Sequence, residues 1–142
     1  MVRFLCLATC VWTIGCANRV EVDVAEVCLS ERDTLGSVEV SQIEAGQPLT
    51  VFAEVIKGCH TEDLELFCTA VVEGDTIVVT TETTWRRTEP LAMSCEAIAY
   101  VAQTSCETDV ALEEGTYAVV YADQILDVVV PSSGDAYDCL VP

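Results

Sequence analysis

From position 38 to position 130 the apolar residues of this chain recur at almost every second place, a period that suits β-strands and little else. Val38 and Val40 alternate with Glu39 and Ser41. Leu49, Val51, Ala53 and Val55 share one face opposite Thr50, Phe52 and Glu54, and Leu64, Leu66, Cys68, Ala70 and Val72 form the next. Glu73-Gly74-Asp75 is a hairpin signal. It leads into a strand over 76–84, rich in β-branched residues, whose Glu82 reads as an edge-protecting charge. Residues 85–92 break the alternation, and Pro90 ends any ladder. Further strands are expected over 95–103, 116–121 and 125–130, with a turn at Ala122-Asp123-Gln124 and an irregular tail held by Cys139. Helical periodicity is nearly absent; its best stretch, 108–114, is no more than a turn. About seven short strands predict an all-β chain, an antiparallel β-sandwich.

The first seventeen residues decide where such a chain works. Arg3 is a positive start, residues 4–14 are apolar and uncharged, and Gly15-Cys16-Ala17 is a run of small residues. That is the anatomy of an export signal with its cleavage region. The apolar run is shorter than the roughly 20 residues that cross a bilayer as a helix. Residues 18–35 then serve as a tether or first strand, and 36–142 as the sandwich.

Cysteine arithmetic agrees. Of nine cysteines, Cys6, Cys10 and Cys16 belong to the leader and its end. Cys28, Cys59, Cys68, Cys95, Cys106 and Cys139 remain, an even number in a small exported domain, which implies three disulfides. A strand over 96–103 would hold Cys95 and Cys106 roughly 25 Å apart, too far to bond. Fifteen pairings are open to six cysteines; Cys59 and Cys68 flank a loop and could bridge it, and one compatible set is Cys59–Cys68, Cys106–Cys139 and Cys28–Cys95. After Cys16 stand 24 acidic side chains against five cations, a net charge of −19. Such a surface repels nucleic acid and anionic lipid, so binding to either is not expected.

Two resemblances sharpen this reading. Thr13-Ile14-Gly15-Cys16 resembles a bacterial lipobox, which implies that Cys16 is acylated and becomes the mature N-terminus, with Ala17 directing the product to the outer membrane. Gly15 and Ala17 also satisfy the small-x-small rule of ordinary secretory cleavage, which would release a chain starting at Asn18. Leu112-Glu113-Glu114-Gly115-Thr116-Tyr117-Ala118-Val119 resembles the L-x-x-G-x-Y-x-V corner of immunoglobulin-like and fibronectin-like bacterial domains. It implies an immunoglobulin-like sandwich in which the Tyr117 hydroxyl bonds back to the corner's backbone. The Cys-Trp-Cys pattern of immunoglobulins is missing. The whole is similar to the small cysteine-containing lipoproteins of Gram-negative bacteria.

Chemistry is sparse. His60 is the single histidine; beside Cys59, Glu62 and Asp63 it suggests a metal site or a small hydrolase, but zinc ligands commonly come in close pairs such as C-x-x-C, and none exists here. No G-x-S-x-G accompanies it. The carboxylates at Glu113-Glu114 and at Asp135 with Asp138 lack calcium-loop spacing. An exposed loop histidine and a solvated acidic surface are the expectation, with no cofactor, no metal and no enzymatic activity. Trp85-Arg86-Arg87 is the most distinctive stretch. Trp and Arg are enriched in interface hot spots, so it is a candidate contact for an envelope or extracellular protein. The competing reading has Trp85 capping the core edge while the arginines pair with Glu82, Glu89 and the surrounding acidic field. The function expected is therefore an exported, lipid-anchored binding or structural module at the outer membrane or in the periplasm, otherwise secreted. The alternative is a small secreted enzyme or metal-dependent hydrolase using His60 and nearby acids.

Overall fold

The computed structural model describes residues 18–29, 42–58, 61–87, 99–133, 137 and 139–142. Ten strands follow one another with no helix among the described residues. They are β1 (Asn18–Val22), β2 (Glu26–Cys28), β3 (Gln42–Ile43), β4 (Thr50–Lys57), β5 (Thr61–Glu73), β6 (Thr76–Arg87), β7 (Tyr100–Glu107), β8 (Gly115–Tyr121), β9 (Gln124–Val130) and β10 (Ser132–Ser133). Eight of them build two sheets, and β3 pairs with β10 as a short ribbon.

The larger sheet is centred on β6. Along one edge of β6 runs β5, joined to it by the hairpin at Gly74, whose φ of +64° suits glycine at the first turn position. The other edge is shared. β8 pairs with residues 76–79 in parallel, β1 pairs with residues 82–86 in antiparallel fashion, and β9 extends the sheet beyond β8. The smaller sheet is β2-β4-β7, antiparallel throughout. The sandwich is therefore antiparallel except at β6–β8, a pairing that alternation in the sequence does not encode. β6 is central, so Glu82 protects no edge; it is exposed on the outer face, opposite Phe67 on one side and Val22 on the other.

The period-two faces form the core. Leu49, Val51, Ala53 and Val55 are buried, as are Leu66 and Ala70 on β5, Ile77 and Val79 on β6, Val119 and Tyr121 on β8, and Val128 and Val130 on β9. Burying a valine or isoleucine side chain stabilises by about 1.5–3 kcal/mol. Ala25, Val27 and Leu140 close one side of this core, the last two bridged through both backbone hydrogen bonds.

Boundaries moved where pairing, not composition, fixes them. The strand expected over 95–103 runs instead from Tyr100 to Glu107, in register with the whole of β4 from Lys57↔Tyr100 to Thr50↔Glu107. Residues 85–87, expected to break the pattern, continue β6 because β1 and β5 pair with them on both sides. β1 and β2 are strands within the two sheets, so Asn18 already belongs to the sandwich rather than to a tether. Residues 108–114 cross between sheets, with Thr108 bridged to Ala70 and Leu112 to Gln47. The strand expected at 38–41 lies outside the described residues, apart from the adjoining β3.

The disulfides differ from the expected set. Cys28 bonds Cys139, with Cα atoms 4.4 Å apart, and Cys68 bonds Cys106, with Cα atoms 5.7 Å apart. Cys59–Cys68, Cys106–Cys139 and Cys28–Cys95 are thereby overturned. The cause is the shift of β7: it places Cys106 inside a strand, beside the central part of β5, where Asp109 N–H meets the Ala70 carbonyl at 3.1 Å. The Leu140 bridge likewise brings Cys139 next to β2. One bond joins the two sheets and the other ties the N-terminal strands to the tail.

Candidate functional site

β1 is inverted relative to its hydrophobic pattern. In register, Arg19 faces Trp85 and Glu21 faces Thr83, while Val20 faces Thr84 and Val22 faces Glu82. Directly opposed residues share a face, and Thr83 is fully buried. Arg19 and Glu21 therefore point to the inner side at the end of the sandwich, and Val20 and Val22 stand 59% and 55% exposed on the outer side.

That inversion builds a cluster around Trp85. The ring is half-buried on the inner side of β6, facing the other sheet. The Arg19 guanidinium lies 5.1 Å from its centroid, and Lys57 Nζ, arriving from the last residue of β4, lies 5.6 Å away. Both distances fall within the reach of a cation–π interaction, worth roughly 0.5–2 kcal/mol. Lys57 also pairs with Glu21, so the two sheets are linked by charge at this end. On the outer face Arg86 holds Glu62 Oε2 at 3.0 Å and Asp63 Oδ2 at 2.9 Å. Asp63 takes φ of +50° at the register shift between Glu62 and Glu65, which turns its carboxylate towards Arg86. Arg87 is exposed at the strand's end.

Every lysine and arginine among the described residues, namely Arg19, Lys57, Arg86 and Arg87, belongs to this cluster. Trp85 Nε1 and Thr83 Oγ1 are buried there without hydrogen-bond partners. A buried orphan of this kind costs about 1–3 kcal/mol.

Trp85, Arg86 and Arg87 were legible as a distinctive stretch; Arg19 and Lys57 were not. Each is a lone cation near a strand end, and only the β1–β6 pairing and the packing of one sheet on the other bring them together. The structure gives Arg86 the acids Glu62 and Asp63 rather than Glu82; Glu89 lies outside the described residues. His60, Cys16, Cys59, Cys95, Asp135 and Asp138 also lie outside the described residues.

Tyr117 donates to the Glu113 carbonyl at 3.3 Å and accepts from the Glu113 N–H at 3.2 Å, the bond pattern of a corner tyrosine. Among the described residues, one group of metal-ligating types converges, Glu26 with Cys28 and Cys139. Its two sulfurs are bonded to each other, so it offers a single carboxylate.

Comparison of the chain with protein-family models, with curated proteins and with solved structures found no match.

Proposed function

We propose that this protein is exported and held at the cell envelope through an acylated Cys16, its sandwich serving as a binding or structural module. The observation that carries the location is the pairing of Cys28 with Cys139 and of Cys68 with Cys106. Such bonds persist outside the reducing cytosol. The charged start, apolar run and Thr13-Ile14-Gly15-Cys16 of the leader support the signal peptide and the lipid anchor, and Ala17 supports the outer membrane. Two or three acyl chains bury enough methylene groups for stable attachment. A contact role is supported by the outer face of the larger sheet. There Ile125, Val120, Val78 and Val71 lie in one cross-strand row, with Ile125 67% exposed and Phe67 nearby on the same face. Apolar side chains grouped in the open suit a macromolecular partner.

Mass spectrometry of the mature protein tests the anchor. The expected species starts at Cys16 and carries acyl mass, and Cys16→Ala abolishes membrane partitioning. A mature chain starting at Asn18 would replace the anchored form with a soluble secreted one. Full-length protein in cell lysate, with Met1 intact and reduced thiols, would overturn export itself.

A further inference from the structure

We propose that the outer edge of β9 takes up an extended segment of a partner protein by antiparallel strand addition. A lysine or arginine of that segment stands opposite Asp127, and apolar residues stand opposite Ile125 and Val129. The inference rests on the binding-module reading of the sandwich and names the chemistry of the partner. It starts from the direction of the backbone groups. The Ala118 N–H donates to the Asp75 carbonyl at 2.8 Å, within the parallel pairing with β6. The backbone groups of Tyr117, Val119 and Tyr121 therefore turn the other way, towards β9. Their register partners Val128, Leu126 and Gln124 bond to β8, which leaves the N–H and carbonyl groups of Ile125, Asp127 and Val129 pointing to the open edge.

Among the described residues no backbone group bonds to that edge. Elsewhere the chain covers its own edges. The Asp109 N–H donates to the Ala70 carbonyl of β5 at 3.1 Å and its carboxylate accepts the Val72 N–H at 2.8 Å, while Leu140 bridges to β2. Edge strands are ordinarily guarded by charges, a proline or a bulge. β9 pairs with β8 without a register shift and carries one charge and no proline. Strand addition uses an edge of this kind, main-chain bonds giving affinity and alternate side chains giving specificity.

The same three residues turn their side chains to the outer face, opposite Val120, Ala118 and Thr116. Ile125 is 67% and Val129 52% exposed, with Asp127 exposed between them. Apolar residues of an added strand lie against both and extend the row of Val71, Val78, Val120 and Ile125. Charge then selects the partner. Ala118 and Thr76 fill the row of Asp127, and the next charge along it is another acid, Glu73. The described cations gather at or beside the 82–87 end of β6, away from the 76–79 end that carries β8. A second copy of the chain is a poor occupant. In the two-fold register that pairs Ile125 with Val129, Asp127 meets its own copy, and like charges directly opposed are destabilising. A basic segment is attracted both at Asp127 and by a chain whose net charge after Cys16 is −19.

Amide hydrogen exchange of the mature protein, followed residue by residue by NMR, tests this. In the protein alone, Ile125, Asp127 and Val129 should exchange fast, and Leu126 and Val128 slowly. A short peptide with valine, lysine and valine at alternate positions and threonine between them, added in excess, is expected to slow the first three. Asp127→Lys, at an exposed position, keeps the fold and should weaken that peptide by about fivefold or more, the upper value of one opposite-charge cross-strand pair. The same variant should gain affinity for the peptide that carries glutamate in place of lysine. Slow exchange of these amides before any peptide is added overturns the proposal, because a segment of the chain itself then occupies the edge. Protection that rises with protein concentration alone also overturns it, making a second copy the occupant. Fast exchange throughout, or equal affinity for both peptides, removes the strand addition or its selection by charge. The mass and thiol state of the mature protein, which decide export, do not depend on this outcome, so the two readings fail separately.

Discussion

The Tyr121 hydroxyl lies 2.8 Å from the Thr81 hydroxyl and accepts the Ala25 N–H at 3.0 Å. Three stretches distant in sequence meet at that oxygen: the end of β8, the middle of β6 and the link between β1 and β2. Asp23 completes the arrangement, its carboxylate accepting the Thr81 N–H at 2.9 Å while its own N–H donates to the Thr81 carbonyl at 2.9 Å. The N-terminal strands are thus fastened to the core by buried polar bonds as well as by apolar packing.

Tyr121→Phe keeps the ring and removes this junction. The Ala25 N–H and the Thr81 hydroxyl lose a buried partner, so the expected loss is about 1–3 kcal/mol, read as a lower midpoint in chemical denaturation with an unchanged slope.

Alkaline pH probes the same oxygen. Burial pushes the Tyr121 phenol above its ordinary value of 10.0, against the opposing bonds to Thr81 and Ala25. The folded state then holds its proton more tightly than the unfolded state, so this contribution to stability is complete below pH 10 and is lost as pH rises through the folded value. Ultraviolet titration of the four tyrosines should show a late-ionising phenol that disappears in Tyr121→Phe.

Peptide mapping under non-reducing conditions should recover Cys28 linked to Cys139 and Cys68 linked to Cys106. A free thiol at any of these four positions in the mature protein would count against it. Chain entropy makes the bond with sequence separation 111 worth about 5 kcal/mol and that with separation 38 about 4. Cys28→Ser with Cys139→Ser is therefore expected to destabilise the chain slightly more than Cys68→Ser with Cys106→Ser.

Alternation carried most of the fold because a residue's face in a strand is a local property. The buried rows 49-51-53-55 and 66-70 could be read directly, as could the hairpin at Gly74. Partner choice is not local. Nothing near Thr76 or Ala118 announces that β6 and β8 run parallel, and the disulfides follow from where β7 begins and from the bridge of Leu140 to Val27. β1 misleads for a different reason. Its valines follow the period but face outward, because the inner positions at this end are taken by charges that serve Trp85. The cluster was half legible: Trp85-Arg86-Arg87 is contiguous, whereas Arg19 reaches it through the β1–β6 register and Lys57 through the packing of one sheet on the other.

Arg86 bonds two carboxylates, yet its removal should matter little. All three side chains are well exposed, 38% for Arg86 and 49% and 70% for Glu62 and Asp63, and exposed pairs are worth about 0–1 kcal/mol. Arg86→Ala is expected to shift the denaturation midpoint only within that range, and less still in high salt, where the pairs are screened.

Trp85 offers a sharper contrast, because its ring and its indole N–H pull in opposite directions. The ring serves two cations, and phenylalanine preserves an aromatic face for both. The N–H is buried without a partner, and phenylalanine removes that burden. Against this stands the smaller volume of phenylalanine, which leaves part of a half-buried site unfilled. Trp85→Phe is expected to fall within about 1 kcal/mol of the parent, since the relieved donor offsets lost packing. Trp85→Ala should cost about 3 kcal/mol, as it also abandons the Arg19 and Lys57 contacts. Denaturation of the two variants side by side checks the argument. Equal losses would mean that the indole N–H is satisfied in solution by water.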